Sequence, residues 1–206
     1  MAEPDETRVK EALTDYHGRI VAVFERGWAE WREIEEYRLS KGYTPMLYSR
    51  TSANFVFDAV ARAAQAEFSA DPRCRVFEEP QTLKVCFGDL VVGRFKKGDE
   101  DGLGQNIPTQ AALDFTDPEQ PLPGLPPEAD KVEFTWAANA IGTKLETILV
   151  VARNGDKAVW AYEIGRDEGA GVIEFPFDRP AAGPGTAGDE LVAPKQKPEE
   201  GTGEER

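Results

Sequence analysis

Hydrophobic side chains recur mostly at steps of three or four between residues 7 and 39, which predicts one long amphipathic helix. The stripe is wide and aromatic, and charged residues fill the opposite side. Its members are Val9, Leu13, Tyr16, Ile20, Val23, Phe24, Trp28, Trp31, Ile34 and Tyr37. At about 1.5 Å per residue an unbroken helix would be roughly 50 Å long, so Gly18 and Gly27 are the expected points of interruption.

A second helix is predicted over residues 50–70, beginning near Thr51 or Ser52 and ending before Asp71-Pro72. The hydrophobic period then changes to two. The runs RVFEE, TLKVCF and LVVGRFKK predict a three-stranded meander with turns at Pro80-Gln81 and Gly88-Asp89.

Residues 98–130 are rich in Gly, Pro and acidic side chains and predict a long loop, with at most a short helix from Pro108. The strands VEFTW, TKLETILVV and KAVWAYEI follow, the last two joined by Asn154-Gly155. We therefore expect an α+β domain over residues 1–164, with N-terminal helices packed on an antiparallel sheet of five or six strands. Residues 165–206 carry little apolar surface and predict a disordered acidic tail.

The composition favours a cytoplasmic protein. The 206 residues carry a formal net charge of -14, and 40% of them are hydrophobic, without an apolar run long enough to cross a membrane. The N-terminus does not resemble a secretory signal. An acidic chain of this kind has no general attraction for nucleic acid, so any nucleic-acid site must be small and local.

The two cysteines lie in strands that we expect to pair, with Cys86 opposite Arg75 and Cys74 one step along. A disulfide is conceivable in that register. A reducing cytosol favours two free thiols.

A cluster of cations ends the third strand and suggests a site for a phosphorylated ligand or for nucleic acid. Arg94 and Lys96 share one side of the strand, Lys97 follows, and Asn106 and Thr109 lie in the next loop. The alternative is that these cations pair with the acidic residues at 99–101 or with acidic residues of the helices.

The aromatic side chains suggest a protein-binding surface as the leading function. Phe24, Trp28 and Trp31 lie within about four turns of the first helix, and such residues form both cores and binding hot spots. Phe175 and Phe177 belong to an apolar island, VIEFPFD, which is expected to bind in extended form to its own domain or to a partner.

Motifs for enzyme chemistry are weak in this sequence. A nuclease site would draw on Glu67, Asp89 and Lys96, but an acid in the place of Arg94 would be needed. A calcium-binding loop beginning at Asp99 lacks the required oxygen donors, and His17 is the single histidine. We therefore predict no metal and no cofactor and assign no catalytic residue.

The run RFKKGDEDGLGQNIPTQAALDF, the following PLPGLPP and the closing VWAYEI resemble small bacterial proteins of unassigned activity, some of them carried on mobile elements. The resemblance covers about residues 50–164. The same part of the chain is similar to accessory members of toxin–antitoxin or defence gene pairs. It implies an interaction or regulatory protein whose partner is the product of the neighbouring gene.

Overall fold

The N-terminal part of the chain is helical and a six-stranded sheet follows it. The computed structural model describes residues 3–79, 82–105, 107 and 109–165. The helices are α1 (Glu6–Leu13), α2 (His17–Ser40), α3 (Ser49–Phe68) and α4 (Gln110–Thr116). The strands are β1 (Cys74–Glu79), β2 (Thr82–Phe87), β3 (Val91–Lys97), β4 (Asp130–Ala138), β5 (Leu145–Asn154) and β6 (Lys157–Glu163). The predicted α+β class is confirmed.

The predicted long helix is broken by a 3-10 turn at Thr14–Tyr16, before either glycine. Tyr16 is buried at this turn, and its ring centroid lies 4.9 Å from that of Phe87 and 6.5 Å from that of Phe68. The break therefore occurs where Tyr16 packs into the core and not at a glycine. Gly18 and Gly27 both lie inside α2.

The strand order in the sheet follows the chain from β1 to β6, and every neighbouring pair is antiparallel except β3 with β4. The predicted hairpins form; β1 and β2 pair in the expected register, with Cys86 opposite Arg75, whereas the registers of the other two hairpins differ. A two-residue turn at Gly88-Asp89 would pair Phe87 with Leu90. The turn takes three residues instead, with Asp89 at a φ of 58°, and Phe87 pairs with Val91.

A turn at Asn154-Gly155 would place Val151 opposite Ala158, but the turn takes Gly155 and Asp156, so that Asn154 pairs with Lys157. An irregularity at Ala152/Arg153 shifts the pairing by one more residue and places Val151 opposite Ala161.

The parallel pair explains the length of the connection between β3 and β4. Antiparallel strands can be joined by a tight turn, whereas parallel neighbours need a crossover of a dozen or more residues. Residues 98–129, the crossover segment, make this connection and place α4 against the sheet. Lys131 of β4 fastens the segment, because its ammonium group donates hydrogen bonds to the backbone carbonyls of Asp114, Asp117 and Gln120.

The two faces of the sheet have different coverings. On the helix face, the rings of Phe87, Phe95 and Phe134 pack beneath α1, α2 and α3 in the main core. On the crossover face, Phe115 and Leu122 of the crossover segment pack on β2 and β3. No helix in the described part of the chain has the length and apolar content needed to span a membrane.

The two cysteines lie on opposite faces of the sheet, both with free thiols. Cys86 pairs with Arg75, as expected, and lies in the crossover-face core, whereas Cys74 lies in the helix-face core. A disulfide between them is therefore excluded by the side-chain directions, and burial raises the pKa of each thiol.

Asp71 joins the helices to β1 and makes folding sensitive to acid. Its carboxylate accepts hydrogen bonds from the Arg19 guanidinium at 2.6 Å and from the Arg73 backbone N–H at 2.9 Å. These bonds lower the pKa of Asp71 from 3.8 to about 2. The carboxylate therefore stabilises the fold above pH 4, and this stabilisation is lost as the pH falls towards 2.

We expect the free energy of unfolding of the native chain to fall more steeply between pH 4 and pH 2 than that of Asp71→Asn, because the variant has no carboxylate to protonate. Urea denaturation followed by circular dichroism at half-unit steps of pH measures both slopes. Equal slopes would contradict this role for Asp71.

Some of the features predicted from the sequence fall on residues that the structure does not describe. The Pro80-Gln81 turn, Asn106, Pro108 and residues 166–206 lie outside the described residues, and with them the predicted tail, Phe175 and Phe177.

Candidate functional site

The aromatic stripe of α2 mostly faces the core, which corrects its predicted role as a docking surface. Phe24 is 1% exposed and packs on Phe95, with 5.5 Å between ring centroids. Trp31 is 5% exposed and lies against Phe55. Trp28 is half-buried, with its ring centroid 5.5 Å from that of Trp136. Phe24 and Trp31 therefore have no surface to offer a partner.

Arg94 of the predicted ligand site is 3% exposed and forms a buried ion pair. Its Nε and Nη2 donate to Oε1 of Glu133 at 2.9 and 2.5 Å. The second carboxylate oxygen accepts from the Gly104 N–H at 2.9 Å and from Arg153 Nη1 at 3.2 Å. Ion pairing was the alternative to a ligand site at Arg94. The partner is Glu133 and not an acid of residues 99–101 or of the helices.

The crossover segment covers this ion-pair network. The ring of Phe115 lies 4.2 Å from the Arg94 guanidinium carbon. Gly104 lies so close that an added Cβ would stand 2.5 Å from Glu133 Oε2, which requires glycine there. Burial lowers the pKa of Arg94. The network ties β3, β4 and β5 to the crossover segment and presents no open guanidinium.

The other described residues of the predicted ligand site, Lys96, Lys97 and Thr109, contact aromatic rings or the backbone of α4. The Lys96 ammonium lies 6.0 Å from the ring centroid of Phe57, and burial, together with Arg94, lowers its pKa. The Lys97 ammonium lies 5.8 Å from the ring centroid of Trp136. Thr109 caps α4, since its hydroxyl accepts from the Ala112 N–H at 3.3 Å.

The residues considered for enzyme chemistry also have structural partners. Glu67 pairs with Arg19 and Arg26, and Asp89 pairs with Arg75. His17 Nε2 lies 3.0 Å from the Tyr162 hydroxyl, and burial raises the pKa of Tyr162. Among the described residues, no cluster of three or more His, Cys, Asp or Glu side chains is arranged to hold a metal ion.

The most exposed apolar surface lies where α2 turns into α3. We call residues 37–55 the hairpin tip. Six of the ten large hydrophobic side chains exposed in the described chain belong to it, between 41% and 83% exposed. These are Tyr37, Leu39, Tyr43, Leu47, Tyr48 and Phe55.

The turn at the hairpin tip is built by short-range backbone bonds. α2 ends at Ser40, and Gly42 takes the left-handed conformation, with a φ of 79°, that lets the chain reverse. The Tyr43 N–H donates to the Arg38 carbonyl at 3.1 Å, and the Arg38 guanidinium donates to the Thr44 carbonyl at 3.2 Å. The aromatic residues of the tip are thereby held on an ordered turn.

The hairpin tip is positively charged within an acidic chain. Residues 37–57 contain Arg38, Lys41 and Arg50 and no acidic residue, so the remainder of the chain carries -14 minus 3, or -17. Lys41 lies 5.2 Å from the ring centroid of Tyr37, and Arg50 is exposed at the start of α3. Aromatic and cationic side chains are thus combined in one segment of the chain.

An open groove of about 390 Å³ lies beside α2, where β5 begins and β6 ends. Its apolar lining consists of Val21, Trp28, Leu145, Ile148 and Ile164. Three glutamates and one lysine, Glu25, Glu146, Glu163 and Lys144, complete it, so its local charge is negative. We call this the acidic groove.

Comparison of the chain with protein-family models, with curated proteins and with solved structures gave no match. The chemistry of its surfaces is therefore the basis for a functional proposal.

Proposed function

We propose that the protein acts by binding another protein through the hairpin tip. The observation that supports this proposal is the concentration of exposed large hydrophobic residues in residues 37–55. Tyrosine supplies a large contact area at low conformational cost, and tyrosine and arginine are enriched at binding hot spots. Isolated exposed apolar residues are ordinary, whereas a contiguous group marks an interaction surface.

The partner that fits this surface is an acidic protein. Lys41 and Arg50 provide positive charge beside the aromatic side chains, and complementary charge steers association and selects partners. Nucleic acid is disfavoured, because the remaining -17 of the chain repels an extended polyanion. Leu39 and Leu47 also suit an apolar protein surface better than a phosphate backbone.

We place this activity in the bacterial cytoplasm, in a protein that forms one half of a toxin–antitoxin or defence gene pair. Two buried free thiols suit a reducing compartment. The resemblance of residues 50–164 to accessory proteins of such pairs makes the product of the neighbouring gene the first partner to test. The role that we propose is regulatory binding of that partner.

A photo-crosslinking amino acid tests the proposal in cells. p-Benzoylphenylalanine at Tyr43 or Tyr48 is expected to give a discrete adduct with one acidic protein. The adduct should disappear when Lys41→Glu and Arg50→Glu are added. The purified partner should bind the charge-reversed chain at least about tenfold more weakly, since like charges then face each other.

The matched control places the same amino acid at Leu113, which is 51% exposed on α4 and outside the hairpin tip. The same adducts at Leu113 and at the tip, or an adduct that survives the charge reversal, would overturn the proposal. An adduct with nucleic acid alone would overturn it in favour of a nucleic-acid site.

A further inference from the structure

The hairpin tip and the acidic groove have opposite chemistry on a single chain. The tip presents aromatic side chains with Lys41 and Arg50, and the groove presents an apolar lining with Glu146 and Glu163. The two surfaces are complementary, because both have apolar area that association can bury and their charges are opposite in sign. The volume of the groove lies within the range of ordinary binding pockets.

From this complementarity we infer that the acidic groove of one chain binds the hairpin tip of a second copy, so that two chains form a symmetric dimer. The inference rests on the proposed function, and it names a second copy as a protein that the tip recognises. The tip lies in the longest acid-free stretch of the sequence, and its Lys41 and Arg50 are exposed, so it is a part of a second copy that an acidic groove attracts.

The placement of the two surfaces on α2 suits a two-fold arrangement. Val21, Trp28 and Leu39 follow each other at steps of seven and eleven residues and therefore lie along one side of the helix. Trp28 and Leu39 are about 16 Å apart along its axis. When two such helices run antiparallel, the tip of each lies over the groove of the other, and both contacts form at once.

Symmetry makes this assembly finite. A surface that contacts itself through a two-fold axis closes after two subunits, and such dimers are the commonest homo-oligomers. The overall negative charge of the chains opposes association, but at physiological salt the Debye length is about 8 Å. Repulsion between distant parts of the two chains is therefore screened. The local contacts between tip and groove then determine whether the chains associate.

Two charge reversals and their mixture test the dimer with the full-length chain. The tip variant is Lys41→Glu/Arg50→Glu, and the groove variant is Glu146→Lys/Glu163→Lys. Sedimentation velocity from 1 to 100 µM at 0.15 M salt is expected to show a reversible dimer for the native chain. Each variant alone should raise the dimer Kd at least about tenfold, because both contacts of a homodimer then face like charge.

An equimolar mixture of the two variants is expected to restore the dimer to within about threefold of the native Kd. In that heterodimer the negative tip of one chain meets the positive groove of the other, while the second contact keeps its native charges. The control Glu78→Lys/Glu128→Lys makes the same change of charge as the groove variant, at exposed positions outside both surfaces, and should dimerise like the native chain. Circular dichroism confirms that every variant is folded.

A native chain that stays monomeric up to 100 µM, or a mixture that fails to recover the dimer, would overturn the inference. These results leave the proposed function standing if tip crosslinks to another protein persist and depend on Lys41 and Arg50. Loss of those crosslinks with an intact dimer would overturn the proposed partner and keep the dimer, so the two failures are distinguishable.

Discussion

Replacement of Glu133 by glutamine is expected to lower the free energy of unfolding by about 3–5 kcal/mol. Glu133 is 0% exposed and accepts hydrogen bonds from Arg94, Arg153 and the Gly104 N–H. Glutamine keeps the shape of the side chain but removes its charge. The guanidinium of Arg94 then stays buried without a counter-charge, and the site loses its hold on the crossover segment. Equilibrium urea denaturation measures the loss.

Glu78→Gln is the matched control, because it makes the same chemical change at an exposed position of β1 and is expected to alter stability by no more than about 0.5 kcal/mol. The double variant Arg94→Met/Glu133→Met should lose less than Glu133→Gln, since it removes the buried guanidinium together with the carboxylate. Arg153 then remains, but it is partly exposed and keeps its hydrogen bonds to the Gly104 and Gly155 carbonyls. A loss below about 1 kcal/mol for Glu133→Gln would show that the buried pair contributes little.

The alternating pattern of β4 predicted the strand but not the burial of Glu133. Val132, Phe134 and Trp136 mark one apolar face, so the sequence VEFTW reads as a strand with its polar positions in solvent. The crossover segment covers those positions instead. Its path depends on the parallel pairing of β3 with β4, and no local pattern specifies that pairing. The partner of Arg94 was therefore missed.

The hairpin tip is a second feature that hydrophobic periodicity did not predict. The two predicted helices leave residues 40–49 between them, and the observed helices are interrupted there, between Ser40 and Ser49. Periodicity favoured the α2 stripe as the aromatic surface, because it does not reveal which side chains another element covers. The available signal was electrostatic. Residues 37–57 lack any acid in a chain of net charge -14.

Trp31→Ala and Tyr43→Ala separate the core role of one aromatic residue from the surface role of the other. Trp31→Ala is expected to lower the free energy of unfolding by about 3–5 kcal/mol, because the side chain is 5% exposed and its removal leaves a cavity between α2 and α3. Tyr43→Ala is expected to change it by no more than about 0.5 kcal/mol, since Tyr43 is 61% exposed.

The effects on association should be reversed. Tyr43→Ala is expected to raise the Kd of binding through the hairpin tip about tenfold. The reason is that truncation of a hot-spot tyrosine costs more than about 1 kcal/mol of binding free energy. Trp31→Ala should keep the native affinity at temperatures where it remains folded, because its side chain is 5% exposed and offers no surface to a partner. Urea denaturation and sedimentation of the same two proteins measure both quantities. A stable Trp31→Ala chain that fails to associate would return the docking surface to the α2 stripe.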